Sequence, residues 1–547
     1  MNVDYTLRIP SELIVEIMWH YSHVDNLQNL FPARGIGINP MTRISCVCRR
    51  WRDIALGDHS RFLWSQIHLR WPVPVVSRYL ERSGKDTLLS IGFLYTSLPD
   101  ADQFARHHAQ LDPSRIERLS VDHAHPSLYQ DAFMAWIYDI LAEQSSAKNL
   151  WDLELQFGGP VIRQMQQTYS LTALPQISEV RCPRIPFQAN LLNPTLLTRI
   201  EIAYSENSPS HIINILVHSP LLQTAKFRRT SNPIRIAAEF SLDHPPTFLQ
   251  HLETLEFGPC HTPFANAVLQ SVIFPVSSEI TAKIYRDTPR IMTSFPETLE
   301  FTLYSAHTLT VSAERMRLYL RGTYRVDPTH YPFRLGFASH DSPTYWMEFN
   351  EYENNGSKQG TDLLRDIACR HDSFPQLKKA TVHVRHLPKA KPLIQLLTSW
   401  KNLEDLTLKS IAVNSFIAAF GSGDPDSPLC PLLRKLDIRG SAFDPYQLKD
   451  TLVERKASNC PIQDLSITTD VFLQTMPSRG LSIDEVLQEL DKLVDTYTDE
   501  GGYWTTATEP GRFQYEDVIE EEDPDEMYEA EPDQEYGGYE DDVYEAY

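Results

Sequence analysis

One six-residue pattern, Leu-x-x-Leu-x-Leu with apolar replacements, recurs along most of this chain and constrains its fold more than any other feature. Copies stand at Ile116–Val121, Leu150–Leu155, Ile177–Cys182, Leu197–Ile202, Leu252–Phe257, Phe295–Phe301, Leu377–Val382, Leu403–Leu408, Leu433–Ile438 and Ile462–Ile467, with a weaker one at Leu222–Phe227. Many neighbouring copies are about 20–35 residues apart, and the last four are the most regular. Alternating apolar residues over so short a run describe a strand with one buried face. Between copies lie apolar stretches such as Ile212–Val217 and Leu393–Leu397, which read as helices. One strand and one helix cannot bury their own apolar faces, so each unit must stack on the next. The expectation is an α/β repeat solenoid with a curved body. The alternative is a set of scattered strands in an ordinary α/β domain.

The spacing overlaps that of leucine-rich repeats, and the body over 71–500 resembles a degenerate array of them. It opens with a helix after Trp71-Pro72, stopped by Ser83-Gly84, and a strand at Leu88–Phe93. The rhythm breaks over 277–352, where Arg315–Leu320, Phe333–Phe337 and Trp346–Phe349 suggest paired strands of an insertion or of distorted repeats. Ser482 and Glu485 form a capping box, and an apolar stripe from Ile483 to Tyr497 predicts a C-terminal capping helix over 483–497. In such repeats the residues between the leucines point away from the core. That puts Glu154, Glu201, Glu256, Thr407, Lys409, Asp437 and Arg439 on the concave face as candidate substrate contacts. A merely solvated polar face, with the true site in loops, is the competing reading.

Net charge is −22, but 501–547 accounts for most of it. From Glu516 to Tyr547 there are sixteen acids and no Lys or Arg, so the rest of the chain carries about −6. A segment of that composition cannot bury enough apolar surface to fold, and a disordered acidic tail is expected. The acidity and the shortness of the basic clusters argue against nucleic acid as a partner. The seven cysteines are odd in number, widely spaced and lack Cys-x-x-Cys, which argues against a disulfide framework and a zinc finger. No run reaches the ~18 apolar residues of a membrane span. A cytoplasmic or nuclear location without membrane contact is therefore expected.

The N-terminal 1–70 read as a small all-α domain. Pro10 starts a helix with Leu13, Ile14, Ile17, Met18 and Tyr21 at helical spacing. After a loop from about Asp25 to Asn39, Asn39-Pro40 start a second helix that carries Ile44, Val47, Cys48, Trp51, Ile54 and Ala55 on one face. Gly57 is placed to end it in a left-handed cap, and Phe62-Leu63-Trp64 follow. The series Pro10, Glu12, Leu13, Ile17, then Val47, Cys48, Arg49, Trp51, Arg52, Ile54, Ala55, then Leu63-Trp64 resembles the F-box, with a longer gap between the two halves. The resemblance covers about the first 70 residues. It implies docking onto a Skp-type linker subunit and, through it, a cullin and a RING subunit. The implied linker contacts are Pro10, Leu13, Ile14, Ile17, Val47, Cys48, Trp51 and Leu63. For several of these, Trp51 above all, a place in the module's own core is the alternative.

No phosphate-binding glycine loop, Gly-x-Ser-x-Gly elbow or His-Glu-x-x-His pair occurs. His107-His108 and His123/His125 lack partners at ligand spacing, and Cys369 with His371 lacks an orienting third group. The expected function is that of a substrate-recognition adaptor in an SCF-type ubiquitin ligase, in the Ubl conjugation pathway, with no catalytic residues, metal or cofactor of its own. The alternative is an F-box and leucine-rich-repeat scaffold for protein–protein interaction outside any ligase.

Overall fold

The computed structural model describes residues 8–24, 40–69, 71–95, 106–107, 109–123, 136–137, 139–140, 146–157, 174–186, 195–204, 209–229, 245–285, 299, 305–313, 333–339, 342–350, 356–369, 374–384, 386–410, 412–422, 428–468 and 482–500. The expected loop over 25–39, the copy at 295–301 apart from Leu299, the strand over 315–320 and the acidic tail over 501–547 lie outside them.

The chain opens with helices α1 (Ser11–Val24), α2 (Pro40–Ser45) and α3 (Arg49–Ala55) and a tight 3-10 turn over Asp58–Trp64. The second helix expected from the sequence is thus two. Cys46 and Val47 donate to Arg43 and Ile44 in short-range bonds that close α2, and Cys48 is extended before α3 begins. Gly57 is not left-handed: its φ is −68°, and α3 closes with the Leu56 N–H donating to the Arg52 carbonyl and the Gly57 N–H to that of Ile54. Trp64 donates to the Ala55 carbonyl at 2.7 Å and stacks edge-on against Tyr79 of α4 (Val73–Ser83), joining the module to the body.

The strands are β1 (Gln66–His68), β2 (Leu89–Tyr95), β3 (Ile116–His123), β4 (Asp152–Phe157), β5 (Glu179–Pro186), β6 (Arg199–Tyr204), β7 (Thr224–Arg229), β8 (Thr247–Phe248), β9 (Thr254–Cys260), β10 (Val272–Ile273), β11 (Glu279–Tyr285), β12 (Thr308–Ala313), β13 (Phe333–Ser339), β14 (Ser342–Asn350), β15 (Lys379–His383), β16 (Asp405–Lys409), β17 (Lys435–Asp437), β18 (Asp464–Ile467) and β19 (Thr496–Asp499). Among the described residues all but β8 and β10 join one 17-stranded sheet. Hydrogen bonding runs in chain order from β1 to β7, then β9 and β11, in parallel throughout. It resumes in chain order, again parallel, from β15 to β19. Between the two runs the order reverses to β14, β13, β12, with β13 antiparallel to both neighbours. This pairing bears out the strands expected near Phe333–Phe337 and Trp346–Phe349. The irregularity is narrower than 277–352, because β11 still follows the parallel pattern.

The apolar motif positions stack in register. Leu119, Leu153, Val180, Ile200, Ala225, Leu255 and Ile280 form one buried row, and Leu309, Ala380, Leu406, Leu436 and Leu465 its continuation beyond the inverted strands. Most units enter their strand the same way: two successive N–H groups share one carbonyl of the preceding unit, as Thr198 and Arg199 do on Ser178, and Glu404 and Asp405 on Lys378. Asn149 and Asn402, each just before a motif leucine, donate to Ser114 and Pro375 at 2.6 and 2.7 Å.

Helices α5 (Ser210–His218), α6 (Thr262–Gln270), α7 (Gly356–Cys369), α8 (Ala390–Ser399), α9 (Asn414–Gly421), α10 (Pro445–Ala457) and α11 (Ile483–Leu493) bring Ile215, Val268, Leu363, Leu396, Ile417, Leu452 and Leu490 into the same core as the strand rows. The fold is therefore α/β, with helices on the leucine face of a mainly parallel sheet. The capping box is present at Ser482 and Glu485, but α11 stops at Leu493. Val494 is already extended and Tyr497 lies on β19, so the last helix is followed by one more strand. Among the described residues no helix is long and apolar enough to cross a membrane.

Candidate functional site

Two surfaces gather the residues singled out by sequence. On the N-terminal module, α1 packs against α2 and α3 through Ile14 and Met18, which are fully buried with Met41, Ile44, Ala55 and Leu63. The adjoining side of α1 carries Leu13 and Ile17, 49% and 45% exposed, and Tyr21 one turn on. Positions four apart on a helix share a face, so the three make one stripe. Val47 stands at the corner between α2 and α3 and is 58% exposed, a consequence of the helix break at Cys48. Pro10 is exposed, and Cys48 and Trp51 are half-buried. Ile14 and Leu63 were expected at a contact surface; their burial makes them core residues instead. Phe62 is exposed, as are Leu56 and Trp19, which the motif does not include. The Arg50 guanidinium ties this module together by donating to the Ile9 carbonyl at 2.6 Å.

The second surface is the sheet face opposite the helices. Glu154, Glu201 and Glu256 fall in one register row with Arg181 and Lys226 between them, so acid and base alternate along β4, β5, β6, β7 and β9. The expected acidic contacts are thus not bare carboxylates. Glu154 accepts from Gln156 at 2.7 Å and faces Arg181 at 3.6 Å; Glu201 pairs with Arg228 at 2.8 Å; Glu256 pairs with Lys283 at 2.5 Å and Lys226 at 3.7 Å. Burial opposes the charge on Glu256, yet the bond from Lys283 and the surrounding cations hold its carboxyl below the usual range. Arg181 and Lys226 sit at the same motif position as the glutamates. Applying the outward-facing rule to every copy would have found them.

Thr407 and Asp437 occupy the equivalent row on the C-terminal side, in register with each other, and Lys409 is exposed two residues beyond Thr407 on the same face. Arg439 is not on the sheet. β17 ends at Asp437, and the Arg439 guanidinium turns back onto the Asp437 carboxylate at 2.6 Å while also pairing with Glu500. Burial works against ionised Asp437, but these bonds from Arg439 keep its carboxyl below its ordinary value.

Of the cysteines, Cys182, Cys260, Cys430 and Cys460 are buried free thiols. Burial pushes the Cys430 thiol up to about 12 and Cys182 further still, which makes both poor nucleophiles. Among the described residues no group of three His, Cys, Asp or Glu side chains could hold a metal. No protein-family model matches the chain, and no curated protein matches it in sequence.

Proposed function

We propose that this chain is a substrate-recognition adaptor of an SCF-type ubiquitin ligase. The N-terminal module would engage a Skp-type linker, and the body, read as a leucine-rich-repeat solenoid, would present its outer sheet face to a protein substrate. The observation that carries the reading is that α1 buries Ile14 and Met18 and leaves an apolar stripe, Leu13, Ile17 and Tyr21, exposed among the described residues. A module this small exposing so much apolar surface favours a protein partner. Catalysis would belong to the partner subunits, and this chain would contribute proximity.

The test is affinity capture of the full chain from cell extract, with mass spectrometry of what is retained. Linker and cullin are expected with the unaltered chain. Leu13→Asp and Val47→Asp, substitutions at exposed positions, should each lower their recovery at least about tenfold, the loss typical of a hot-spot contact. If the unaltered chain retains neither subunit, the adaptor reading fails. Linker without cullin would instead favour the scaffold reading.

A further inference from the structure

The apolar stripe on α1 has unlike borders. Successive residues of a helix are about 100° apart, so Ile14 and Met18 lie to one side of Leu13 and Ile17, and Glu12 and Glu16 to the other. The inner border is thus the buried contact with α2 and α3, and the outer border is acidic. The Arg50 bond to the Ile9 carbonyl holds the first turn of α3 against the start of α1, which brings the corner between α2 and α3 to the inner border. That corner is basic. Arg43 lies in the last turn of α2 and Arg49 in the first turn of α3, on either side of Val47. Arg52 joins them, because its Nε donates to the Ser45 carbonyl at 3.0 Å and so holds the guanidinium against the end of α2. All three are exposed. Asp53 stands 3.8 Å from Arg49, but their side chains are 68% and 92% exposed, and a pair so far in water contributes little. Among the described residues Arg43 and Arg52 have no ion-pair partner. On the outer sheet face, by contrast, Arg181, Lys226, Lys283 and Arg439 each have a carboxylate.

We infer that the surface docking on this module carries carboxylates where it meets Arg43, Arg49 and Arg52, beside an apolar patch that receives Val47, Leu13 and Ile17. The inference rests on the adaptor reading and names the chemistry of the partner surface that the module fits. A guanidinium presents a planar fork of donors that matches a carboxylate, and Arg43 has no such acceptor within the described chain. Burying Val47 excludes water beside the arginines, so a partner carboxylate interacts there more strongly than Asp53 does in solvent. An apolar centre with a charged rim is also the common anatomy of a protein interface. The two borders together decide the class of partner. A lipid or nucleic-acid surface is anionic throughout and would meet Glu12 and Glu16 across the same stripe with like charge. A protein surface can place its acids at the corner alone.

The test is the rate at which the purified full chain binds a purified Skp-type linker, followed by biolayer interferometry. Rim charges act mainly on association and its salt dependence. Raising salt from about 0.1 to about 1 M shortens the screening length from about 10 to about 3 Å and should slow association of the unaltered chain at least about tenfold. Arg43→Glu with Arg49→Glu should slow it by at least about as much at the lower salt and remove most of the salt dependence, with dissociation little changed. Arg43→Gln with Arg49→Gln, which removes charge without reversing it, should fall between. Thermal melting checks that both doubles are folded; if the reversal lowers the melting temperature, the glutamine pair carries the test. A chain that binds the linker with the same rates and salt dependence in folded double variants overturns this inference and leaves the adaptor reading standing. A chain that does not bind the linker at all overturns both.

Discussion

His211 stands in the first turn of α5, fully buried, and among the described residues neither ring nitrogen finds a hydrogen-bond partner. Burial therefore holds the imidazole neutral and lowers its pKa to about 4. A depressed histidine favours the folded state only while the unfolded chain is also unprotonated. The contribution is complete above pH ~6.5 and is lost as pH falls toward the folded value, by about 3 kcal/mol at pH ~4. His211→Leu removes that titration. The melting temperatures of the two proteins, compared from pH 7 downward, should diverge in favour of the variant as acidity increases; a gap that stays constant with pH would contradict this. None of it was legible in the sequence, where a histidine among Ile212, Ile213 and Ile215 shows only that its neighbours are apolar. The leucine rows were legible for the opposite reason. Their period of two fixes which side chains face the helices, and Glu154, Glu201 and Glu256 followed as their outward partners. Which of those carboxylates would be neutralised depended on the strand beside each, and single-strand patterns do not carry register.

At the level of elements, the hidden parts are those whose anchoring leucine is missing. β11 has Ser277 where the first leucine belongs, and Ser278 bonds the Leu252 carbonyl at 2.5 Å; β12 has Ala306 in that place. Both strands kept Ile280 and Leu309 in the buried row, so stacking tolerated a loss that the motif search did not. The helix break at Cys48 was hidden because the apolar spacing runs straight through it. The capping box was plain, since it needs only two residues three apart. Where β9 meets β11 a bulge at Lys283 closes on Gly258, whose φ is +114°. A Cβ at Gly258 would overlap the Lys283 carbonyl oxygen, and the same residue's ammonium holds Glu256. Gly258→Ala combines backbone strain with a clash against main chain that has nowhere to move, and should cost about 3 kcal/mol. Urea denaturation reads this directly, and a loss within about 0.5 kcal/mol, the range of a neutral surface change, would show that the two strands part freely.

From β15 to β19 the strands bond one another in chain order, and neighbouring helices from α7 to α11 pack in sequence. Stability in such an arrangement is a sum of unit and nearest-neighbour interface terms, so damage should stay near its origin. Leu406 tests this well. It is fully buried on β16, in register with Ala380 and Leu436, and lies on the C-terminal side of the inverted strands. Leu406→Ala should remove about 3 kcal/mol locally. Amide hydrogen exchange should quicken over β15 to β19 and the helices between them, while β3 to β6 keep their protection. Equal loss in β3 to β6 would mean that the sheet unfolds as one cooperative body, with the inverted strands transmitting rather than interrupting the coupling. The antiparallel pairs of β13 make the first outcome the physical expectation. β12, β13 and β14 form a three-stranded meander, so two antiparallel interfaces that recur nowhere else among the described strands stand between the two parallel runs.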